Sequence, residues 1–236
     1  MTDLTDYERS IARSRAALQH PDRPRTFELA GRTWDLLDGV FAPPFSAATS
    51  AAMELLGLAS QEPKPWYGSF LDVGCGTGVI GLSAAAAGCD RVTALDVNPQ
   101  AVENAALNAR RHGLADRARA VHSDLFDALD AEDRYDTVYW HSNFVLAPAR
   151  YYYDSEHERA YVDPGYRAHR RFLSEAPGRT TAGGRVLLHV SNRADLSTLS
   201  ALAEECGREL HETAAVTVRE GTDDVRHMLY EVTARA

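Results

Sequence analysis

The stretch Leu71-Asp72-Val73-Gly74-Cys75-Gly76-Thr77-Gly78 constrains the fold more than any other segment of the chain. It closes the short apolar run Phe70–Val73, the pattern of a buried strand, and leads into Val79–Ala87, a helical stretch stopped at Gly88. Glycines at alternate positions let the backbone turn tightly and approach a ligand closely, because no Cβ stands between them. Two details narrow that ligand. Asp72 precedes the first glycine, which opposes a pyrophosphate and suits an ammonium group. The spacing is Gly-x-Gly-x-Gly, not the Gly-x-Gly-x-x-Gly of dinucleotide sites, and the Gly-Lys-Ser/Thr of a nucleoside triphosphate site is missing.

Strands and helices alternate from there on. Arg91–Leu95 reads as a strand ending at Asp96, and Asn98-Pro99 caps and starts a helix that runs to about His112 and stops at Gly113. Arg119–His122, Thr137–Trp140 and Arg185–Val190 read as further strands, with helices over Tyr166–Leu173 and Asp195–Cys206. Ala215–Arg219 and His227–Thr233 form a terminal antiparallel pair around the Glu220–Asp224 turn. The pattern predicts an α/β fold, a doubly wound seven-stranded and mostly parallel sheet with an antiparallel last strand. Upstream, Thr5–His20 reads as a helix broken by Pro21 and Pro24. Phe27–Leu29 and Arg32–Leu36 read as a hairpin, and Ser46–Leu58 as a helix. The expected organisation is an N-terminal helical or lid extension over residues 1–60 and a catalytic domain over residues 61–236.

Composition sets aside several classes of function. The chain has 236 residues, 44% of them hydrophobic, and no apolar run long enough to span a membrane. Met1–Ser10 carries acids where a signal peptide needs a basic patch, so a cytoplasmic protein without a membrane partner is expected. Lys plus Arg is 25 against 34 for Asp plus Glu, giving a net charge of −9. The short pairs Arg110-Arg111 and Arg170-Arg171 make no basic stripe, so nucleic acid is not expected as a partner. The three cysteines, Cys75, Cys89 and Cys206, show no CxxC spacing, so neither a disulfide framework nor a metal is expected. Lys64 is the only lysine, which we read as compositional bias.

Further candidates stand at the strand ends. Asp96 can accept both hydroxyls of a ribose, or cap a turn. In Ser123-Asp124-Leu125-Phe126, an acidic acceptor beside apolar side chains suits an adenine amino group, or caps the next helix. Taken with Asp96-Val97-Asn98-Pro99 and Ala101-Val102-Glu103-Asn104, these motifs make Phe70–Tyr139 resemble the class I S-adenosylmethionine (SAM) dependent methyltransferases, which have a Rossmann-like fold. The resemblance implies SAM as cofactor. It implies that Asp72, Gly74, Gly76 and Gly78 meet the methionine part, that Asp96 holds the ribose, and that Asp124, Val97 and Leu125 meet the adenine.

The family writes its acceptor chemistry at the end of the fourth strand. Here Tyr135–Phe144 resembles the stretch of amide and amine methylators that ends in Asn/Asp-Pro-Pro-Tyr, with His141 in the Asn/Asp place and Ser142-Asn143 replacing both prolines. His141 is expected to act as a general base, or as a polar wall held by Asn143. The aromatic stretch that follows offers Tyr152 and Tyr161 as partners for a sulfonium and a substrate. Ser191-Asn192 points to the same sheet edge. Phe41 and Phe45, in a segment resembling the entry segment of several small methyltransferases, either close the pocket or belong to the core.

The expected function is methyl transfer to a small molecule in specialised metabolism, by SN2 attack on the SAM sulfonium. Trp140 and the altered fourth-strand motif also resemble enzymes that cyclise SAM to an azetidine- or cyclopropane-carboxylate and release methylthioadenosine. A third reading is a SAM-binding partner without catalysis. The oligomeric state is left open.

Overall fold

Every residue of β3 (Ser69–Val73) is buried, which marks it as the central strand of the sheet. The structure, a computed structural model, describes residues 5–60 and 66–235. Met1–Leu4, Lys64 and the far side of the expected domain boundary after Ser60 lie outside the described residues. Around β3 stand β4 (Arg91–Asp96), β5 (Ala118–His122), β6 (Tyr135–His141), β9 (Thr180–Ser191), β10 (Arg208–Glu220) and β11 (Asp223–Ala234), in the order β10-β11-β9-β6-β3-β4-β5. β3, β4, β5, β6 and β9 pair in parallel, and β11 runs antiparallel to both β9 and β10. The last strand of the chain therefore sits inside the sheet and β10 forms the edge. Both strands run well beyond the short apolar stretches that mark them in the sequence.

The connections carry α3 (Val79–Ala86), α4 (Pro99–Arg111), α5 (Arg167–Glu175) and α6 (Leu196–Glu205). Asn98 caps α4 as expected, its side chain accepting from the Gln100 N–H at 3.0 Å. At the other end of α3 the chain turns through Gly88 at φ +121°. A Cβ there would lie 2.6 Å from the Trp66 carbonyl oxygen. Gly88→Ala is therefore expected to lower stability by about 2 kcal/mol or more, read as a reduced urea midpoint at unchanged slope.

The N-terminal residues share the core of the sheet. α1 (Tyr7–Leu18) is capped by Asp6, and the hairpin β1 (Thr26–Leu29) and β2 (Arg32–Asp35) buries Phe27 and Trp34 in one cluster with Phe70 and Tyr139. Buried carboxamides fasten this hairpin to α4. Asn108 Oδ1 accepts from the Asp35 N–H at 2.7 Å, and Asn104 Oδ1 from the Leu37 N–H at 2.8 Å. The helix expected over Ser46–Leu58 is a 3-10 turn at Pro43–Phe45 followed by α2 (Ala48–Leu55). A small parallel pair unseen in the sequence, β7 (Val145–Ala147) with β8 (Val162–Pro164), folds the aromatic stretch back over the sheet edge.

Candidate functional site

The glycine loop is built by its neighbours. Gly74, Gly76 and Gly78 stand at φ +66°, +54° and +81°, a region that residues with a Cβ avoid. Asp96, at the end of β4, draws the loop across the sheet: its Oδ2 accepts from the Gly76 N–H at 2.8 Å and its Oδ1 from the Asn98 N–H at 2.9 Å. Burial raises the Asp96 carboxyl, and these two backbone bonds oppose the rise. Asp72 turns toward the start of α3, where its Oδ2 accepts from the Gly81 N–H at 2.9 Å. Burial pushes its carboxyl up to about 7, and the nearby Asp96 adds to the shift.

A cavity of about 480 Å³ opens above this loop. Asp72, Gly74, Gly76, Asp96, Val97, Asp124 and Leu125 all border it, so most of the expected cofactor residues come together. A Cβ on Gly76 would meet nothing within 4 Å, and each Asp96 oxygen keeps a lone pair beyond its single backbone bond. Those are the features a nucleoside with a ribose diol needs, so the residues fit SAM. Gly78 is the exception and is corrected: it does not border the cavity. A Cβ there would strike Ala105 at 3.0 Å, so this glycine serves the packing of α3 on α4. Asp124 is not the cap of the following turn. Ser123 Oγ takes that place, accepting from the Ala128 N–H at 3.0 Å, while Asp124 pairs with Arg171 at 3.0 Å. Phe41 and Phe45 both border the cavity, Phe41 packing on Tyr161 with ring centroids 5.4 Å apart.

The acceptor side departs from expectation. His141 borders the cavity with its ring stacked on His189 at 4.0 Å, and burial, with His227 adding, pulls its pKa down to about 3. The ring is therefore neutral at neutral pH. Asn143 does not hold His141. Its Nδ2 donates to the Val162 carbonyl at 2.9 Å, and its Oδ1 is buried without a partner in the wall of the cavity. Tyr161 borders the cavity, its hydroxyl raised to about 12 by burial, so it keeps its proton. Tyr152 is 85% exposed and lies away from the cavity. The neighbouring Tyr153 borders it instead, because the irregular backbone there gives no period from which facing can be read.

One buried constellation carries no label in the sequence. Ser142 Oγ, on the cavity wall, lies 3.0 Å from His169 Nε2, and His169 Nδ1 lies 2.7 Å from Asp163 Oδ2. All three side chains are buried, with His169 between the rings of Trp140 and Tyr166. Asp163 also caps α5 through the Ala168 and His169 N–H groups. The one sequence signal was an acid placed shortly before a helical histidine.

The histidines set the acid limit of the fold. Burial depresses His141 to about 3 and His157 and His227 to about 4, and puts His189 well below its ordinary value. The unfolded chain binds these protons first, so the neutral histidines stabilise the fold fully above about pH 6.5, and this contribution is lost as the pH falls toward 4. Each unit of depression corresponds to about 1.4 kcal/mol. The melting temperature is expected to fall steeply between pH 6.5 and 4.5. A flat profile there would show that the four rings are not buried neutral.

A glycine loop tethered to the second-strand carboxylate, on this strand order, is the Rossmann-like fold of the class I methyltransferases. Residues 70–155 match a family described as a methyltransferase domain. Over these residues the chain is similar to the SAM-dependent methyltransferases, whose cofactor is SAM. It is 28% identical over 176 residues to the ribosomal protein uL3 glutamine methyltransferase of Francisella tularensis, covering 69% of this chain and 53% of that protein. It is 32% identical over 151 residues to the release factor glutamine methyltransferase of Bordetella pertussis, covering 60% of this chain and 54% of that protein. The chain thus spans about half the length of these curated relatives. Its fold is similar to the T. thermophilus 16S rRNA N2 G1207 methyltransferase in complex with AdoMet and guanosine, with a TM-score of 0.56 and 21% identity over 89% of this chain and 50% of that one.

These names overturn the expectations of a small-molecule acceptor, of specialised metabolism and of no nucleic-acid partner. The two relatives are named for a ribosomal protein and a release factor, and the structural neighbour for ribosomal RNA. The expected likeness to SAM-cyclising enzymes gains no support from them. No helix among the described residues is long and apolar enough to cross a membrane.

Proposed function

We propose that the chain transfers a methyl group from SAM to a protein of the translation apparatus, at an amide or amine nitrogen of one side chain. The observation that carries this reading is Asn143 Oδ1, a buried acceptor without a partner in the wall of the cavity that holds the glycine loop. A buried, unpaired carboxamide oxygen costs about 1–3 kcal/mol, which an incoming N–H recovers. Where the resembling methylators carry Asn/Asp-Pro-Pro-Tyr, this chain has His141-Ser142-Asn143-Phe144. The carboxamide is displaced by two positions, and its Nδ2 is fixed on Val162, so its oxygen keeps one orientation. A macromolecular acceptor needs to insert only one side chain into the cavity, and the glutamine named for the two relatives is a side chain of that kind.

When bound, SAM supplies an electrophilic methyl group on a sulfonium. Asp96 and the glycine loop would hold the nucleoside, while Trp140 and Tyr161 line the cavity with rings that attract a cation. Asn143 Oδ1 orients the acceptor N–H. Ser142 Oγ takes the departing proton as its own passes to His169 Nε2, and Asp163 faces the resulting charge.

The test is to incubate the chain with methyl-labelled SAM, bacterial ribosomes and release factors, and to separate protein from RNA. Label is expected in a protein side chain. Label in RNA would overturn the protein acceptor. Methylthioadenosine accumulating from SAM alone, the product of intramolecular cyclisation, would overturn methyl transfer altogether.

A further inference from the structure

The cavity is divided by charge. Asp72, Asp96 and Asp124 border it on the side of the glycine loop, whereas Arg13, Arg159 and Arg193 border it on the side of α1. Arg159 is matched by Glu156 at 2.9 Å and Arg193 by Glu220 at 2.6 Å. The other Glu220 oxygen accepts from the Ala47 N–H at 2.9 Å and from Ser46 Oγ at 3.2 Å. Arg13 is left over. Its guanidinium donates to Ser10 Oγ at 2.9 Å, and among the described residues no carboxylate pairs with it. Burial, with the charge of Arg193 adding, pulls it down to about 10. Arg193 is only 6% exposed, and its Nε is buried with no partner.

Two guanidiniums therefore stand near one carboxylate, Glu220, which pairs with Arg193 alone. A half-buried charge without a counter-ion is unfavourable unless an anion joins it. The place is also a doorway. Arg13, Arg193, Glu220 and Phe45 border both the cavity and an outer groove that runs between the β1–β2 hairpin and the β10–β11 turn. Any side chain entering from that groove passes the two arginines.

We propose that Arg13 and Arg193 form a carboxylate-binding subsite at this doorway, which takes an acidic side chain or the C-terminal carboxylate of the protein acceptor beside its methylated residue. This rests on the reading of a protein acceptor. The guanidinium fork matches a carboxylate through two parallel N–H···O bonds, and the unpartnered Arg193 Nε and the free edge of Arg13 supply the donors.

The probes are acetate and inorganic phosphate, titrated at constant ionic strength into the protein saturated with S-adenosylhomocysteine. Acetate is expected to raise the melting temperature of the parent chain and not that of Arg13→Gln. In turnover assays Arg13→Gln is expected to raise the acceptor KM about tenfold, with kcat and SAM affinity changed less than about threefold, and Arg13→Lys to recover only part of that loss. An equal acetate response in Arg13→Gln would overturn the subsite. Phosphate binding more than about tenfold tighter than acetate would overturn the carboxylate assignment. SAM affinity falling in Arg13→Gln while methylthioadenosine binds as before would give the arginine to the cofactor instead. The acetate arm requires no acceptor, so its failure is distinct from failure of the protein-acceptor reading.

Discussion

Asp96→Ala is expected to weaken SAM binding by at least about a hundredfold while the chain stays folded. In the parent protein the Asp96 carboxylate accepts the Gly76 N–H at 2.8 Å and the Asn98 N–H at 2.9 Å, so it both shapes the loop and faces the cavity. Its removal takes away the ionic acceptor proposed for the ribose hydroxyls and frees the Gly76 loop that it tethers. Hydrogen bonds to a charged group are worth about 1.5–3 kcal/mol each, and two of them correspond to a factor of about 10² to 10⁴. Asp96→Asn keeps one acceptor oxygen and is expected to fall between the parent and the alanine variant. Isothermal calorimetry with SAM and S-adenosylhomocysteine reads the loss, and circular dichroism checks the fold. Alanine binding both nucleosides as tightly as the parent would remove Asp96 from the ribose.

Much of this was legible because the information is local. The glycine loop, the strand-end acids and the Asn98-Pro99 helix start lie within a few residues of the groups they control, and the apolar runs of β3, β4 and β6 mark a central parallel sheet. What the sequence concealed is long-range. Arg13 and Arg193, far apart in the chain, border one cavity, and Asp163 is linked to Ser142 only through His169 once β7 and β8 pair. Neither short strand is long enough to show a period. Asn104 and Asn108 read as ordinary helix polars, yet they hold the backbone of the hairpin. His141 illustrates a different limit: residue type suggests a base, but burial, with His227 adding, decides its pKa. The acceptor was misjudged because net charge and aromatic content are sums over the whole chain, whereas a polymer presents only one side chain to the cavity.

Ser142→Ala and Asp163→Asn are expected to lower kcat by about 10²-fold or more while leaving SAM affinity unchanged. Methylation of a nitrogen would form a C–N bond as the C–S pair withdraws onto sulfur, and the nitrogen must then shed a proton. Ser142 Oγ, which also lies 3.2 Å from the His189 carbonyl oxygen, is a wall group that can receive it, provided its own hydrogen turns and moves to His169 Nε2 at 3.0 Å. The Asp163 carboxylate, 2.7 Å from His169 Nδ1, fixes the ring and faces the charge that arrives there. A purely structural role is the competing account, since Asp163 also caps α5 through two backbone N–H groups. The two accounts separate on Asp163→Asn. Asparagine retains a cap oxygen, so the melting temperature stays within a few degrees, yet it removes the charge that His169 faces. A fall in kcat at constant KM and constant melting temperature belongs to the proton path. If both variants turn over at the parent rate, the three residues only tie β6 to α5, and the proton must leave by water drawn in from the outer groove.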